Sequence, residues 1–130
     1  MTTATDIEAL ADQLSASANA LHVQLMRAIR NGAPREHTQA LFEDEIGLRT
    51  QADSLYLDAA HLAAAGLAAD QQTLLALTAR ATDAIARIDR FKDLADLAAE
   101  LLTLAAALAA GKPDHVLAPL EQLKHHLDAL

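Results

Sequence analysis

The chain has 130 residues, no cysteine and a formal net charge of −8 at pH 7. This length is typical of one domain whose core needs no disulfide or metal to hold it. The lack of cysteine excludes disulfide frameworks, thiolate metal sites and cysteine nucleophiles. The acidity argues against nucleic acid as a partner, because phosphate binding needs a basic surface, and it is compatible with a basic protein partner.

The sequence carries few signals for base stacking, secretion or membrane insertion. Only Phe42, Tyr56 and Phe91 are aromatic, too few for a base-stacking surface. The N-terminus lacks the basic segment and apolar core of a secretory signal. The most apolar stretch, residues 94–110, carries two carboxylates and is shorter than the roughly 20 residues of a membrane span. We therefore expect a cytoplasmic protein with no membrane partner, and the excess of arginine over lysine suggests a bacterial source.

Leucine and alanine together account for 56 residues, and apolar residues recur three and four positions apart through long stretches. This spacing forms one stripe along an α-helix and predicts an all-α fold. The first helix is expected at residues 6–30 and ends at Asn31-Gly32. The second is expected from Pro34 to Gly66.

A third helix is expected from about residue 70 to residue 110, a segment without glycine or proline. As one rod it would be about 60 Å long. Its apolar stripe makes two consecutive three-residue steps, from Phe91 to Leu94 and on to Leu97. Such a stammer overwinds a helix locally. The sequence therefore predicts a very long third helix that is bent, or broken in two, near residues 90–97.

The last helix is expected from Asp114 to the C-terminus, after a turn at Gly111-Lys112-Pro113. Pro119 falls near its start and is expected to distort the first turn or delay the helix. Short connections favour antiparallel neighbours. The predicted architecture is an up-down antiparallel bundle of four helices, or five if the third one breaks, in a single domain over residues 1–130.

Glu45 occupies a position in the second helix where the other members of the stripe are leucine and alanine. A buried carboxylate there needs a partner or a proton. Folding at the turns places Arg87 and Arg90 at the same level of the bundle. The main interpretation is a structural ion pair; the alternatives are a carboxylate at the bundle edge and a ligand-binding or functional acid.

A second polar group surrounds the turn between the first two helices, where Arg27, Arg30, Arg35 and His37 come together. Free backbone N–H groups at the start of the second helix add to their positive field. These groups are candidates to bind a phosphate or carboxylate. The alternative interpretation is a solvated turn with charges matched to the helix dipoles.

The search for catalytic and metal-binding motifs gives nothing to build on. There are six histidines, but no Glu-x-x-His pair and no His-Glu-x-x-His motif. A phosphate-binding glycine loop and a nucleophile elbow are also missing. We therefore expect no enzyme activity, no cofactor and no dedicated metal site.

The second half of the chain has more leucines than one helix face accommodates. Leu101, Leu102, Leu108 and Leu117 are candidates for an interaction surface. The excess has three possible destinations: burial within the chain, a second copy of the chain, or another protein. The sequence thus favours a small acidic, non-catalytic interaction module, such as an adaptor, an inhibitor or immunity protein, or a chaperone. Its working surface is expected in the second half and on the acidic side. The alternative is a ligand- or metal-binding bundle.

Overall fold

The computed structural model describes residues 2–67 and 69–130, and this part of the chain is helical with no strand. Its elements are α1 (Ala4–Arg30), α2 (Arg35–Leu57), α3 (Ala59–Ala65), α4 (Gln71–Arg87), α5 (Phe91–Ala109), a 3₁₀ turn (Pro113–His115) and α6 (Leu117–Ala129).

The start of α1 is fixed by a capping box. The Asp6 N–H donates to the Thr3 hydroxyl at 3.2 Å, and the Thr3 N–H donates to the Asp6 carboxylate at 2.9 Å. The helix therefore begins at Ala4, two residues before the expected start. At its other end the chain leaves helical geometry at Asn31, and Gly32 takes a positive φ of 75° that suits glycine.

The second predicted helix is divided. Asp58 leaves helical geometry with φ −105° and ψ 16°, so that α2 ends at Leu57 and the short α3 follows. The Asp58 N–H still donates to the Ser54 carbonyl at 3.0 Å, which keeps the α2 ladder intact up to the break. The apolar stripe alone gave no indication of this break.

The third predicted helix does not form one rod. Ile88 and Arg90 are extended, and the chain reverses between α4 and α5. This reversal lies at the N-terminal edge of the segment 90–97 in which the stammer predicts a bend. Gln24 of α1 explains its position, because the buried Gln24 amide donates to the carbonyls of Ile85 at 2.8 Å and Ile88 at 2.9 Å. It thereby satisfies carbonyls that α4 leaves unpaired at its end.

Cross-helix contacts define the directions of the first two helices. The pairs His22–Glu45 and Asp12–Tyr56 run in opposite senses along α1 and α2, so these helices are antiparallel. They form the largest helix–helix contact of the described chain.

α4 also packs along α1. Gln13 donates to the Thr82 hydroxyl at 2.9 Å, and Gln24 reaches Ile88 further along both helices, so α1 and α4 are parallel. The Ser17 hydroxyl also lies 2.6 Å from the Thr82 hydroxyl. These bonds satisfy the hydroxyl of Ser17, which is buried in α1.

α5 packs along α2 and runs parallel to it. The His37 and Phe91 rings stack with centroids 3.9 Å apart near the start of both helices. Further along, a Cβ added at Gly47 would lie 2.9 Å from the Leu102 side chain. Glycine therefore lets α5 approach α2 closely at this level, which offsets its cost of about 1 kcal/mol inside a helix.

α6 lies against α5 and α4. His126 and Glu100 join α6 to α5 at 2.7 Å, and Arg80 of α4 pairs with Asp128 of α6 at 2.7 Å. The helix starts at Leu117, later than expected from Asp114, because the Pro113–His115 segment forms a 3₁₀ turn.

The core runs through all of these helices and consists mainly of leucine with small alanines between. Its largest fully buried side chains are Ile7, Leu10, Leu14, Leu21, Leu41, Leu48, Leu55, Leu74, Ile85, Leu97, Leu101 and Leu104.

Candidate functional site

The leucine-rich second half of the chain is mostly buried within the protein itself. Leu101 and Leu108 belong to the core, and Leu102 packs against Gly47. Of the four leucines predicted to form an interaction surface, only Leu117 is exposed. The break between α4 and α5 explains this difference, because it turns α5 back onto α2 and α6 covers its other flank.

Five exposed apolar side chains of the described residues lie instead on α1 and α2. We call this group the α1–α2 face. Each side chain keeps between 39 % and 56 % of its surface exposed. Its members are Val23, Met26 and Ile29 of α1 and Phe42 and Ile46 of α2. Isolated exposed apolar residues are normal on a protein, but a contiguous group of large ones marks an interaction surface.

A groove of about 460 Å³ opens on the α1–α2 face, between the two helices and close to the turn that joins them. Ile29 and Phe42 lie on opposite sides of it, and Arg35 and Glu43 bring one charge of each sign to its lining. The groove is lined by Leu25, Ile29, Arg35, Thr38, Gln39, Phe42, Glu43 and Ile46. Concave apolar surfaces with a few polar groups are where proteins accept a side chain or ligand.

Glu45 lies at the edge of this face, and its partners differ from those predicted. The His22 Nδ1 is 2.9 Å from one carboxylate oxygen, and the Arg49 Nε donates to the other at 3.0 Å. The Glu45 side chain is only 8 % exposed, whereas His22 and Arg49 are about half exposed. A buried carboxylate is thus held between two groups that reach solvent, as a buried charge requires.

Arg87 and Arg90 lie at the α4–α5 reversal, and the structure does not bring them to Glu45. Both are exposed, and the Arg87 Nε donates to the Asp83 carbonyl at 3.3 Å within its own helix. α4 packs against α1, α5 and α6 rather than against α2. The i, i+4 spacing of Glu45 and Arg49 was the sequence signal for the pairing that the structure contains.

The four residues predicted to bind an anion are divided between two places. Arg27 and His37 line a small pocket of about 140 Å³ where the α1–α2 turn meets the α4–α5 reversal. Arg35 lines the groove of the α1–α2 face, and Arg30 is exposed. Asp89 also lines the small pocket and opposes any anion there, while His37 stacks on Phe91.

A second groove, of about 470 Å³, lies between α4 and α6. Leu77 and Leu120 are part of its apolar surface, and Arg80, Glu121 and Lys124 bring charges to it. Arg80 is already paired with Asp128.

Two groups of α2 have a raised pKa. Burial, and then the nearby Glu43 charge, raises the pKa of the Asp44 carboxyl. The pKa of the Tyr56 hydroxyl is raised mainly because this hydroxyl donates a hydrogen bond to the Asp12 carboxylate. In each case the charge of a neighbouring carboxylate, Glu43 or Asp12, adds to the rise in pKa.

Within the described residues, no group of three or more His, Asp or Glu side chains converges as metal ligands would. Among the histidines, His22 and His126 each pair with a glutamate across a helix–helix contact. Across residues 2–67 and 69–130, no helix combines the length and hydrophobicity that a bilayer crossing requires. Comparison of the chain with protein-family models, with curated proteins and with solved structures gave no match.

Proposed function

We propose that the chain is a small, cytoplasmic, non-catalytic interaction module, built as an up-down bundle of five long helices, whose working surface is the α1–α2 face. An adaptor, an inhibitor or immunity protein, and a chaperone all fit this description. The observation that supports the proposal is the group of five large, half-exposed apolar side chains, three of which, Ile29, Phe42 and Ile46, line one groove. The proposed working surface therefore lies in the first half of the chain, whereas the sequence predicted it in the second half.

The charges around this face support protein binding. The segment 22–49 contains four arginines and four carboxylates, so it is neutral overall. The remaining 14 acidic and six basic residues carry the whole net charge of −8. Interface centres are apolar and poor in net charge, whereas the surrounding surface keeps a protein soluble.

A lysate experiment with matched variants tests the proposal. Phe42→Glu places a carboxylate in the centre of the face, and Leu57→Glu makes the same change at the C-terminal end of α2, where Leu57 is 85 % exposed. We expect proteins of the source organism, including further copies of the chain itself, to bind the wild type and Leu57→Glu but not Phe42→Glu. Equal binding by all three, with both variants folded by circular dichroism, would remove the face from consideration.

A second candidate function is the binding of a small amphipathic ligand between α4 and α6. It is favoured by one observation, the groove of about 470 Å³ that combines Leu77 and Leu120 with Arg80 and Lys124. An acyl chain with a carboxylate would match the apolar walls and the Lys124 ammonium, while Arg80 stays paired with Asp128 and Glu121 also lines the groove. Calorimetric titration with dodecanoate and with dodecylamine tests it, and heat from neither ligand, or from both equally, would count against the site.

A further inference from the structure

The outer side of α2 carries a second heptad stripe next to the one that enters the core. Its members follow steps of 4, 3, 4, 3 and 4 residues, and all of them are exposed or half exposed. They are Arg35, Gln39, Phe42, Ile46, Arg49 and Asp53. A stripe with this spacing is the pattern that packs one helix along another. Nothing in the described chain covers it, although it carries Phe42 and Ile46 at its centre.

The stripe is complementary to itself when read in reverse. In a twofold dimer, residue i of one subunit meets residue j of the other, and j meets i. If two α2 helices pack antiparallel with the axis at the level of residue 44, midway between Phe42 and Ile46, Phe42 meets Ile46 of the partner subunit. Arg35 then meets Asp53 of the partner subunit, and Gln39 meets Arg49 of the partner subunit. Each pair combines compatible chemistry: apolar with apolar, cation with anion, and amide with a donor.

We propose that the α1–α2 face binds a second copy of this chain, with the two α2 helices antiparallel and in this register. The inference rests on the proposed function and identifies its partner. A partner of strongly basic character would be drawn to the acidic remainder of the surface, whereas the neutral segment 22–49 is where two acidic copies repel each other least.

The Glu45 cluster makes this approach less costly. Its carboxylate lies in the middle of α2, where an unpaired charge would face the same charge of the second copy. His22 at 2.9 Å and Arg49 at 3.0 Å hold it inside instead. Arg49 still has N–H groups free to donate, since only its Nε is engaged with Glu45. The groove beside Ile29 offers space for Phe42 of the partner subunit.

The first test is the mass in solution. Sedimentation equilibrium, over loading concentrations from about 5 to 500 µM, should show the mass rise from 13.8 kDa to twice that value. Phe42→Glu should weaken the association at least tenfold, and Leu57→Glu should leave it unchanged. A wild type that stays at 13.8 kDa over this range overturns the proposal.

The second test concerns the register and uses charge reversal. Arg35→Asp places a second carboxylate opposite Asp53 of the partner subunit, and Asp53→Arg places two arginines opposite each other, so each variant alone should associate at least tenfold more weakly. An equimolar mixture should associate like the wild type, because both cross-subunit pairs then have opposite charges. Both residues are exposed, so the variants should keep the wild-type circular dichroism spectrum.

The outcomes separate this proposal from the general function. If the wild type dimerises but the mixture of Arg35→Asp and Asp53→Arg does not regain wild-type association, the register is wrong and the proposal fails with it. If the chain is a monomer, yet other proteins bind the wild type and not Phe42→Glu, the second copy is the wrong partner while the interaction module stands. If no protein binds in either experiment, both proposals fail.

Discussion

At the scale of single residues, the Glu45 carboxylate is 8 % exposed and lies between the His22 imidazole and the Arg49 guanidinium. Glu45 was recognisable because it interrupts a stripe of leucine and alanine. Its partners depend on the rotation of each helix about its axis and on which helices are neighbours. Those quantities are set by the packing of the whole chain, and so the choice of Arg87 and Arg90 from their level along the bundle did not match the contacts. Arg49 could have been found from its spacing alone.

Replacing Glu45 tests how much its contacts with His22 and Arg49 stabilise the fold. Glu45→Gln removes the charge from two hydrogen bonds in a place that is 8 % exposed, so we expect a loss of about 1–3 kcal/mol in the free energy of unfolding. Arg87→Gln should change it by less than about 0.5 kcal/mol, since Arg87 is exposed. Urea denaturation measures the free energy of unfolding of both variants. A change for Glu45→Gln as small as that expected for Arg87→Gln would show that the Glu45 cluster adds nothing to stability.

Asp44 gives a pH dependence with a definite sign. Its pKa is raised in the folded protein, so the folded state holds this proton more tightly than the unfolded chain does. The resulting stability is present at acidic pH and is lost as the pH rises through the raised pKa. We therefore expect Asp44→Asn to be more stable than the wild type at pH 7, with the gap closing on acidification. A gap that widens instead would show that ionised Asp44 is favoured by the fold.

At the scale of elements, local signals placed most helix ends within a few residues, and long-range contacts decided the rest. The turn at Asn31-Gly32 is encoded locally and lies where it was expected. The stammer at Leu94 indicated a break, but the reversal falls at Ile88, because Gln24 binds the end of α4 from a position more than 60 residues earlier. No window of sequence around the reversal contains that contact.

Gln24 therefore carries a prediction about the reversal. Gln24→Leu should lower the free energy of unfolding by about 1–3 kcal/mol, because the buried Ile85 carbonyl and the partly buried Ile88 carbonyl both lose their donor. Amide hydrogen exchange should also become faster in the last turn of α4. Gln122→Leu on the exposed side of α6 is the matched control and should have little effect. Unchanged exchange at α4 would mean that other contacts set the reversal.

At the scale of the whole molecule, composition and periodicity were sufficient for the all-α class, and this was confirmed. The location of the exposed face was not predictable in the same way. The excess of leucine predicted an interaction surface in the second half of the chain. Those leucines are instead mostly buried, because α5 turns back onto α2. The α1–α2 face is made of residues from two helices, and neither contributes more than three of the five side chains.

A pair of neighbouring variants tests the orientation of α2 in the whole fold. Leu55 is 1 % exposed and Leu57 is 85 % exposed, although they are two residues apart. Leu55→Asp buries an unpaired charge and should abolish the cooperative thermal transition, whereas Leu57→Asp should leave it within a few degrees. Retention of the transition in Leu55→Asp would show that the buried side of α2 has been misassigned.

The packing of α6 predicts which part of the protein unfolds first. This helix packs mainly on α5, and its side towards α4 is joined by the Arg80–Asp128 pair next to a groove. Segments with few neighbours detach before the rest of a fold opens. We therefore expect α6 to detach first during thermal fluctuation. Limited proteolysis should then cut first near Lys112 and release a short C-terminal peptide, while the rest of the chain stays folded.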